Sequence, residues 1–174
     1  MTTPTVLSNS EESMPVYFWR EYEEPYGFLS QWFECPFEHE GVTYKTAEMW
    51  MMVQKAKLFG DDDVAEQMLV TTEPKEHKAL GRKVRNFHRP KWDEHKERIV
   101  EEGNWWKFTN NKGVARMIDL LLETDDRELV EASPFDRIWG IGFGAGSACQ
   151  NRHKWGENLL GKALMKVRDR LREL

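Results

Sequence analysis

A carboxyl at Glu48 and an amine at Lys55 stand seven positions apart in Thr46-Ala-Glu-Met-Trp-Met-Met-Val-Gln-Lys-Ala-Lys-Leu-Phe59, a stretch with neither Gly nor Pro. Seven residues make about two turns of helix, so both groups leave nearly the same face with Met52 between them. Met49 to Val53 is an unbroken apolar run. At about 100° per residue it covers every side of a helix and predicts burial. Charge on such a helix is costly unless paired or put to use. A carboxyl and an amine held there can supply acid–base or nucleophilic chemistry. The competing reading is an ion pair in the core, or two polar ends snorkelling to water.

Other stretches carry weaker signals. Arg82, Lys83, Arg85, Arg89 and Lys91 crowd one connection, interleaved with Phe87, His88 and Trp92. Cations beside aromatic rings suit a phosphate with an attached base, the charge for the oxygens and the faces for stacking; solvated surface is the alternative. Asp136 is a second candidate carboxylate, or a turn and cap residue. Gly140-Ile-Gly-Phe-Gly-Ala-Gly146 does not fit the dinucleotide spacing G-x-G-x-x-G, and reads as a mobile loop able to approach a ligand closely. His39, His77, His88, His95 and His153 are scattered and Cys35 and Cys149 are far apart, so neither a metal nor another cofactor is expected. No Ser–His–Asp grouping is visible.

The elements that must hold these groups read as follows. Val16 to Trp19 is a short strand. Pro25 and Gly27 set a turn, and Phe28 to Phe33 can be extended. Phe37 to Tyr44 is a hairpin around Gly41 that leads into the Glu48 helix. Asp61–Asp63 suit the start of a short helix over Val64–Val70. Thr72 caps the next one, with Pro74 in its first turn and its end near Val84. Pro90 opens a further helix with Asp93 and Glu94 in its first turn, running toward Phe108 with a kink at Gly103. Gly113–Leu122 is amphipathic, presenting Val114, Met117, Ile118, Leu121 and Leu122 to the core. Leu129–Ala132 is too short to assign. Glu157–Leu171 is a helix with Leu160, Leu164, Val167 and Leu171 inward and a basic outer face.

At 174 residues the chain fits one domain with a real core, over 15–174, behind a polar tail at Met1–Met14 that reads as disordered. The absence of a leader or spanning segment suggests an intracellular, cytoplasmic protein (a nuclear location being the alternative), with no membrane and no obligate protein partner. A net charge of −5 argues against sequence-independent binding to nucleic acid but leaves room for a local anion site. Eight tryptophans and nine phenylalanines suit either a heavy core or a pocket that stacks on flat rings.

Taken in order, Tyr26-Gly27-Phe28-Leu29-Ser30, the Ala47–Lys55 helix, Gly81-Arg82, Lys91-Trp92, Lys107-Phe108, Asp136-Arg-Ile-Trp139-Gly140 and Asn158-Leu-Leu-Gly161 resemble the NADAR (YbiA-like) family of N-glycosidases. The match spans Val16 to Leu171. The resemblance implies a mainly α single domain with a few short β-strands, and cleavage of a ribose–nitrogen bond. Family members are associated with phosphoribosylated aminopyrimidine intermediates of riboflavin synthesis and with ADP-ribose on guanine in nucleic acid. The acidic residue of the family's S-E-H-Y-F-Q-A-Q-K helix falls on Glu48 and its lysine on Lys55. The family's tryptophan falls on Trp92, and the aspartate before its W-G on Asp136. Met49 stands where many members have His, and the region 140–156 is longer than in short bacterial members, which bears on substrate choice.

From this follow the expected roles. Both substrates join ribose C1′ to an exocyclic amine, a glycosylamine that can open to an imine. Lys55 is the expected nucleophile, Glu48 the acid/base, and Asp136 the support for ribose hydroxyls or water. Trp92 and Trp139 would stack on the base, and Arg82 and Arg89 would bind phosphate. The resemblance also puts Tyr26, Gly27, Phe28, Ser30, Gly140 and Asn158 at the substrate. Direct water attack on C1′ is the competing mechanism, and an ADP-ribose reader without catalysis the competing function. The partner expected is ADP-ribosylated nucleic acid or a nucleotide-like small molecule.

Overall fold

The computed structural model describes residues 13–174, so the tail expected over Met1–Met14 lies, up to Glu12, outside the described residues. The chain folds into seven helices and four three-residue strands among the described residues, the mainly helical single domain expected. These are β1 (Val16–Phe18), β2 (Phe37–His39), β3 (Val42–Tyr44), α1 (Ala47–Leu58), α2 (Asp62–Leu69), α3 (Pro74–Gly81) and α4 (Arg89–Thr109), followed by α5 (Met117–Leu122), β4 (Leu129–Glu131), α6 (Ala145–Ala148) and α7 (Leu159–Arg172). Short 3-10 turns cover Gly27–Leu29 and Cys149–Lys154.

The central element is α1, packed against α2, α3 and α4. Thr46 Oγ1 accepts from Met49 N at 3.1 Å, a cap worth about 1 kcal/mol. Ala47 through Val53 and Ala56 are buried, as the all-round apolar run requires, each large apolar side chain contributing about 1.5–3 kcal/mol. Ahead of it β2 and β3 form the expected hairpin, Glu40 and Gly41 both turning through positive φ (50° and 79°), the two-residue geometry that matches strand twist. Phe37 and Tyr44 stack at 5.5 Å, and both lie against Trp50.

Several local expectations give way to tertiary contacts. Phe28–Phe33 is not extended, because Gly27–Leu29 coils into a 3-10 turn whose carbonyls are gathered by Lys107, Nζ donating to Phe28 O at 2.7 Å and Ser30 O at 2.9 Å. The cap position before α3 falls on Glu73 rather than Thr72, and α3 ends at Gly81, not Val84. Its anchor is buried His77, whose Nε2 lies 3.1 and 2.9 Å from the carbonyls of Met68 and Thr71. Helix α4 begins at Arg89, which places Asp93 and Glu94 beyond the first turn, Asp93 pairing with Lys96 at 2.9 Å. Helix α4 runs unbroken through Gly103. A side chain there would stand 2.4 Å from Trp50 Cδ1, so the glycine makes room for that indole, whose Nε1 donates to Ile99 O at 2.9 Å. Helix α5 starts only at Met117, since Gly113 and Arg116 hold φ of 86° and 62°, and its Ile118 is exposed rather than inward.

The segment too short to assign becomes β4, running parallel to β1 with Val16, Tyr17 and Phe18 beside Leu129, Val130 and Glu131. It rests on α7, where Leu160, Leu164, Val167 and Leu171 are buried as expected. The basic face of α7 is not wholly solvated, since buried Arg168 donates to Thr124 Oγ1 and Arg127 O. Among the described residues no helix is long and apolar enough to cross a membrane.

Candidate active site

A cleft of about 490 Å³ opens where α1, α3 and the start of α4 meet the C-terminal ends of β1 and β4. That size is ordinary for a small-molecule site. From α1 come Glu48, Met51, Met52 and Lys55, so the seven-residue spacing does place carboxyl and amine in one cavity. Lys78 and Arg82 enter from α3 and its end, and Trp92 from α4. Trp19, Arg20, Glu21 and Tyr22 follow β1, Ser30, Gln31 and Trp32 follow the first 3-10 turn, and Glu131, Ser133, Phe135, Asp136 and Trp139 come from β4 onward.

Glu48 is only 5% exposed, and its backbone N donates to Gln31 O at 3.0 Å, tying α1 to the loop opposite. Burial pushes its carboxyl up to about 7; Lys78 is the strongest opposing charge, Asp136 reinforces the rise, and Lys55 and Arg82 oppose it. Lys55 is half-buried, with Nζ 4.8 Å from the centre of the Phe87 ring and 5.5 Å from that of Trp92. Burial moves its amine down from the ordinary lysine range, the charge of Arg89 adding to the effect and Glu48 working against it. A carboxyl that ionises near neutrality and an amine made easier to deprotonate, lining one cavity, are groups able to do acid–base and nucleophilic chemistry.

Of the two readings of Asp136, the turn is the one its hydrogen bonds bear out. Its Oδ1 accepts from Ile138 N and Trp139 N at 2.9 Å each, closing a turn, while the side chain lines the cleft. Arg82 reaches the cleft and Arg89 does not line it, sitting over Phe87 at 5.3 Å. Two other cations of the basic connection are engaged elsewhere. Arg85 donates to Asp61 and Asp63, whose pairing holds the Asp61 carboxyl well below its usual range, and Lys91 Nζ donates to Leu58 O at 3.1 Å.

Of the remaining expected substrate contacts, Ser30, Trp92 and Trp139 line the cleft, and Tyr26, Gly27, Phe28, Gly140 and Asn158 do not. Tyr26 packs at the core edge with its hydroxyl 3.2 Å from Arg127 Nη1. Gly27 lets the backbone of Glu21 pass, since an added Cβ would lie 2.4 Å from its carbonyl oxygen. Phe28 packs edge-on against Phe108. Asn158 bridges β4, Nδ2 donating to Leu129 O at 2.9 Å and Oδ1 accepting from Glu131 N at 3.0 Å. The glycine-rich segment also turns away from the cleft. Gly140 lies under β4, and Ile141 is fully buried in a small second core with Val130, Ala132 and Ala148.

Glu131, Lys78 and the Trp19–Tyr22 segment were missed. Glu131 left one trace, a carboxylate inside the apolar run Leu129-Val-Glu-Ala132. Burial pushes it up to about 8, with Asp136 and Glu48 adding to the rise and Lys78 opposing it. Nothing local marks Lys78.

The chain is similar over most of its length to several known proteins. The chain is 45% identical over 148 residues to an N-glycosidase of Acanthamoeba polyphaga mimivirus, covering 81% of this chain and 85% of that protein. It is 33% identical to an N-glycosidase of Nostoc punctiforme, covering 92% and 95%. A riboflavin biosynthesis protein of Vibrio vulnificus is 32% identical over 97% of this chain but only 41% of its own length. The NMR structure of the Escherichia coli protein YbiA superposes with a TM-score of 0.75 at 27% identity, covering 92% of this chain and 86% of that one. With residues 17–172 matching the family described as the NADAR domain, the chain belongs to that family.

Proposed function

We propose that the cleft hydrolyses the bond between ribose C1′ and an exocyclic amine, and that its substrate is ADP-ribosylated guanine in nucleic acid. The reaction class, N-glycosidase, is the one its two named relatives carry. The observation that carries the chemistry is the pairing of buried Glu48 with half-buried Lys55 on one cavity wall, with Asp136 opposite.

The glycosylamine opens as Glu48 protonates O4′ and the C1′–nitrogen bond becomes an imine. Lys55, as the free amine, adds to C1′; the base amine leaves with a proton, and a lysine imine remains. Water, held by Asp136, adds to that imine. Collapse expels Lys55 and frees the ribose, so the net change is one water consumed and one amine released. Two aromatic zones support an ADP-ribosyl substrate. Trp92 and Trp139 line the inner cleft; at the rim Trp19 meets Phe135 at 5.8 Å, with Arg20 4.1 Å from the centre of the Trp19 ring. Arg82 and Lys78 lie within the same cavity for the diphosphate. The kinship with a riboflavin biosynthesis protein favours a second substrate, phosphoribosylated aminopyrimidine, which would use the inner zone alone.

Incubating the protein separately with ADP-ribosyl-guanine DNA and with the aminopyrimidine intermediate decides between them by which one releases free base or amine. Borohydride should trap a sugar adduct on the wild type and none on Lys55→Ala. Turnover without any trappable adduct would replace the lysine route with direct attack by water. Glu48→Gln should keep ADP-ribose binding and lose hydrolysis; unchanged binding with no hydrolysis even in the wild type would mark a reader.

A further inference from the structure

We infer that Glu131 is a third working carboxyl of this cleft, a fixed hydrogen-bonding group for the sugar of the substrate. The inference rests on the reading above that the cleft takes a ribosyl compound. Glu131 ends β4 opposite Phe18, the last residue of β1. Its backbone is held from both sides, its N donating to Asn158 Oδ1 at 3.0 Å and its carbonyl accepting from Ile141 N at 3.0 Å. Gly140 leaves space beside the carboxyl, since a Cβ there would lie 3.3 Å from Oε2 and 2.7 Å from the carbonyl oxygen of Glu131. Yet Oε2, sealed from solvent, has no hydrogen-bond partner among the described residues, although the side chain lines the cleft.

A carboxyl buried for structure is ordinarily paired. Asp61 is such a group, both of its oxygens accepting from Arg85. Glu131 instead faces Asp136 from the following loop and Glu48 from α1, with Lys78 on α3 the cation that acts on it and Lys55 and Arg82 on the same cavity wall. Burial, reinforced by the two acidic neighbours, makes a negative charge at Glu131 unfavourable, so Glu131 keeps its proton at neutral pH. A protonated carboxyl both donates and accepts. That suits sugar hydroxyls, whereas a phosphate would prefer the arginine and lysine side. The role is one of holding, and no proton transfer is assigned to it.

The test uses the full chain as wild type, Glu131→Gln and Glu131→Ala. Calorimetry with ADP-ribose, ribose 5-phosphate and ADP (which lacks the terminal ribose) is run from about pH 6 to about pH 9.5, across the range where this carboxyl titrates. Near pH 6.5, Glu131→Gln, whose amide also donates and accepts, should bind both ribosyl probes within about threefold of wild type, and Glu131→Ala about tenfold more weakly. The wild type should lose affinity above about pH 8 and Glu131→Gln should not. ADP should bind all three alike. Equal ribosyl affinity in all three proteins, or the same alkaline fall in wild type and Glu131→Gln, overturns the inference. Circular dichroism checks the folding of Glu131→Ala, and the isosteric variant carries the pH test alone if the alanine protein is unfolded. Binding as described without release of free base sinks the proposed reaction and leaves Glu131 assigned; a wild type that binds neither ribosyl probe overturns both.

Discussion

Lys107, near the end of α4, and Lys55, on α1, are both lysines drawn away from water, one in the core and one in the cleft. Lys107 is fully buried, its ammonium donating to two backbone carbonyls and lying 5.7 and 5.6 Å from the centres of the Phe33 and Phe108 rings. Burial brings it down to about 8, with Cys35 opposing the shift. Its hydrogen bonds are committed to the turn that brings Ser30 to the cleft. Lys55 is less buried and among the described residues meets the ring faces of Phe87 and Trp92, so its nitrogen keeps its bonding capacity for a ligand. A lowered lysine pKa therefore does not identify a nucleophile by itself. What separates the two is whether the fold has already used the group.

The contrast can be broken most directly at Lys55. Lys55→Ala should lower kcat by about a thousandfold or more while changing stability by less than about 1 kcal/mol. Single-turnover kinetics and urea denaturation on the same protein check both halves. Lys107→Met should show the reverse, losing about 2–4 kcal/mol because two buried carbonyls lose their donor, with kcat falling by less than about tenfold. If Lys107→Met removed turnover and left stability intact, the two lysines would have been assigned the wrong way round.

A third measurement extends the contrast to carboxyls. Glu48 stands at about 7 in the fold, above its value in the unfolded chain. Between those values the native state binds the extra proton, so stability is greatest at the acid end and is lost as pH rises through about 7. Asp61 runs the other way, its depressed carboxyl contributing stability that disappears only in acid. Glu48→Gln should abolish hydrolysis yet be about 2–3 kcal/mol more stable than wild type at pH 8, with a flatter denaturation profile across the neutral range. Asp61→Asn should be less stable at neutral pH. The smallest effect expected is at the rim, where Phe135 is 83% exposed. Phe135→Ala should raise KM for an ADP-ribosylated oligonucleotide by up to about tenfold, through lost stacking, with stability within about 0.5 kcal/mol. An unchanged KM there would move the second base to another part of the cleft.

How much of this was legible depends on how local each signal is. The hairpin around Gly41, the helix α1 and the common face of Glu48 and Lys55 follow from turn chemistry and a 3.6-residue repeat, which operate over a few residues. Conserving such spacing needs no knowledge of neighbours. Extent and partners were less readable. The anchoring of α3 on the preceding turn, the indole seated against Gly103 of α4 and the coiling of Gly27–Leu29 depend on His77, Trp50 and Lys107 reaching other elements.

The sequence by itself determined a helix-rich domain, an oily central helix, and a carboxyl and amine projecting from one side of it, because side-chain order along a helix is set by periodicity. Only the tertiary structure decided what stands opposite them. Parallel pairing of β1 with β4 joins Phe18 to Glu131 across more than a hundred residues, and so brings Trp19, Glu131 and Asp136 to face α1. It also set Asn158 and Gly140 as supports for β4, outside the lining of the cleft. Contacts of that span arise from closing the whole core, and no short-range pattern records them.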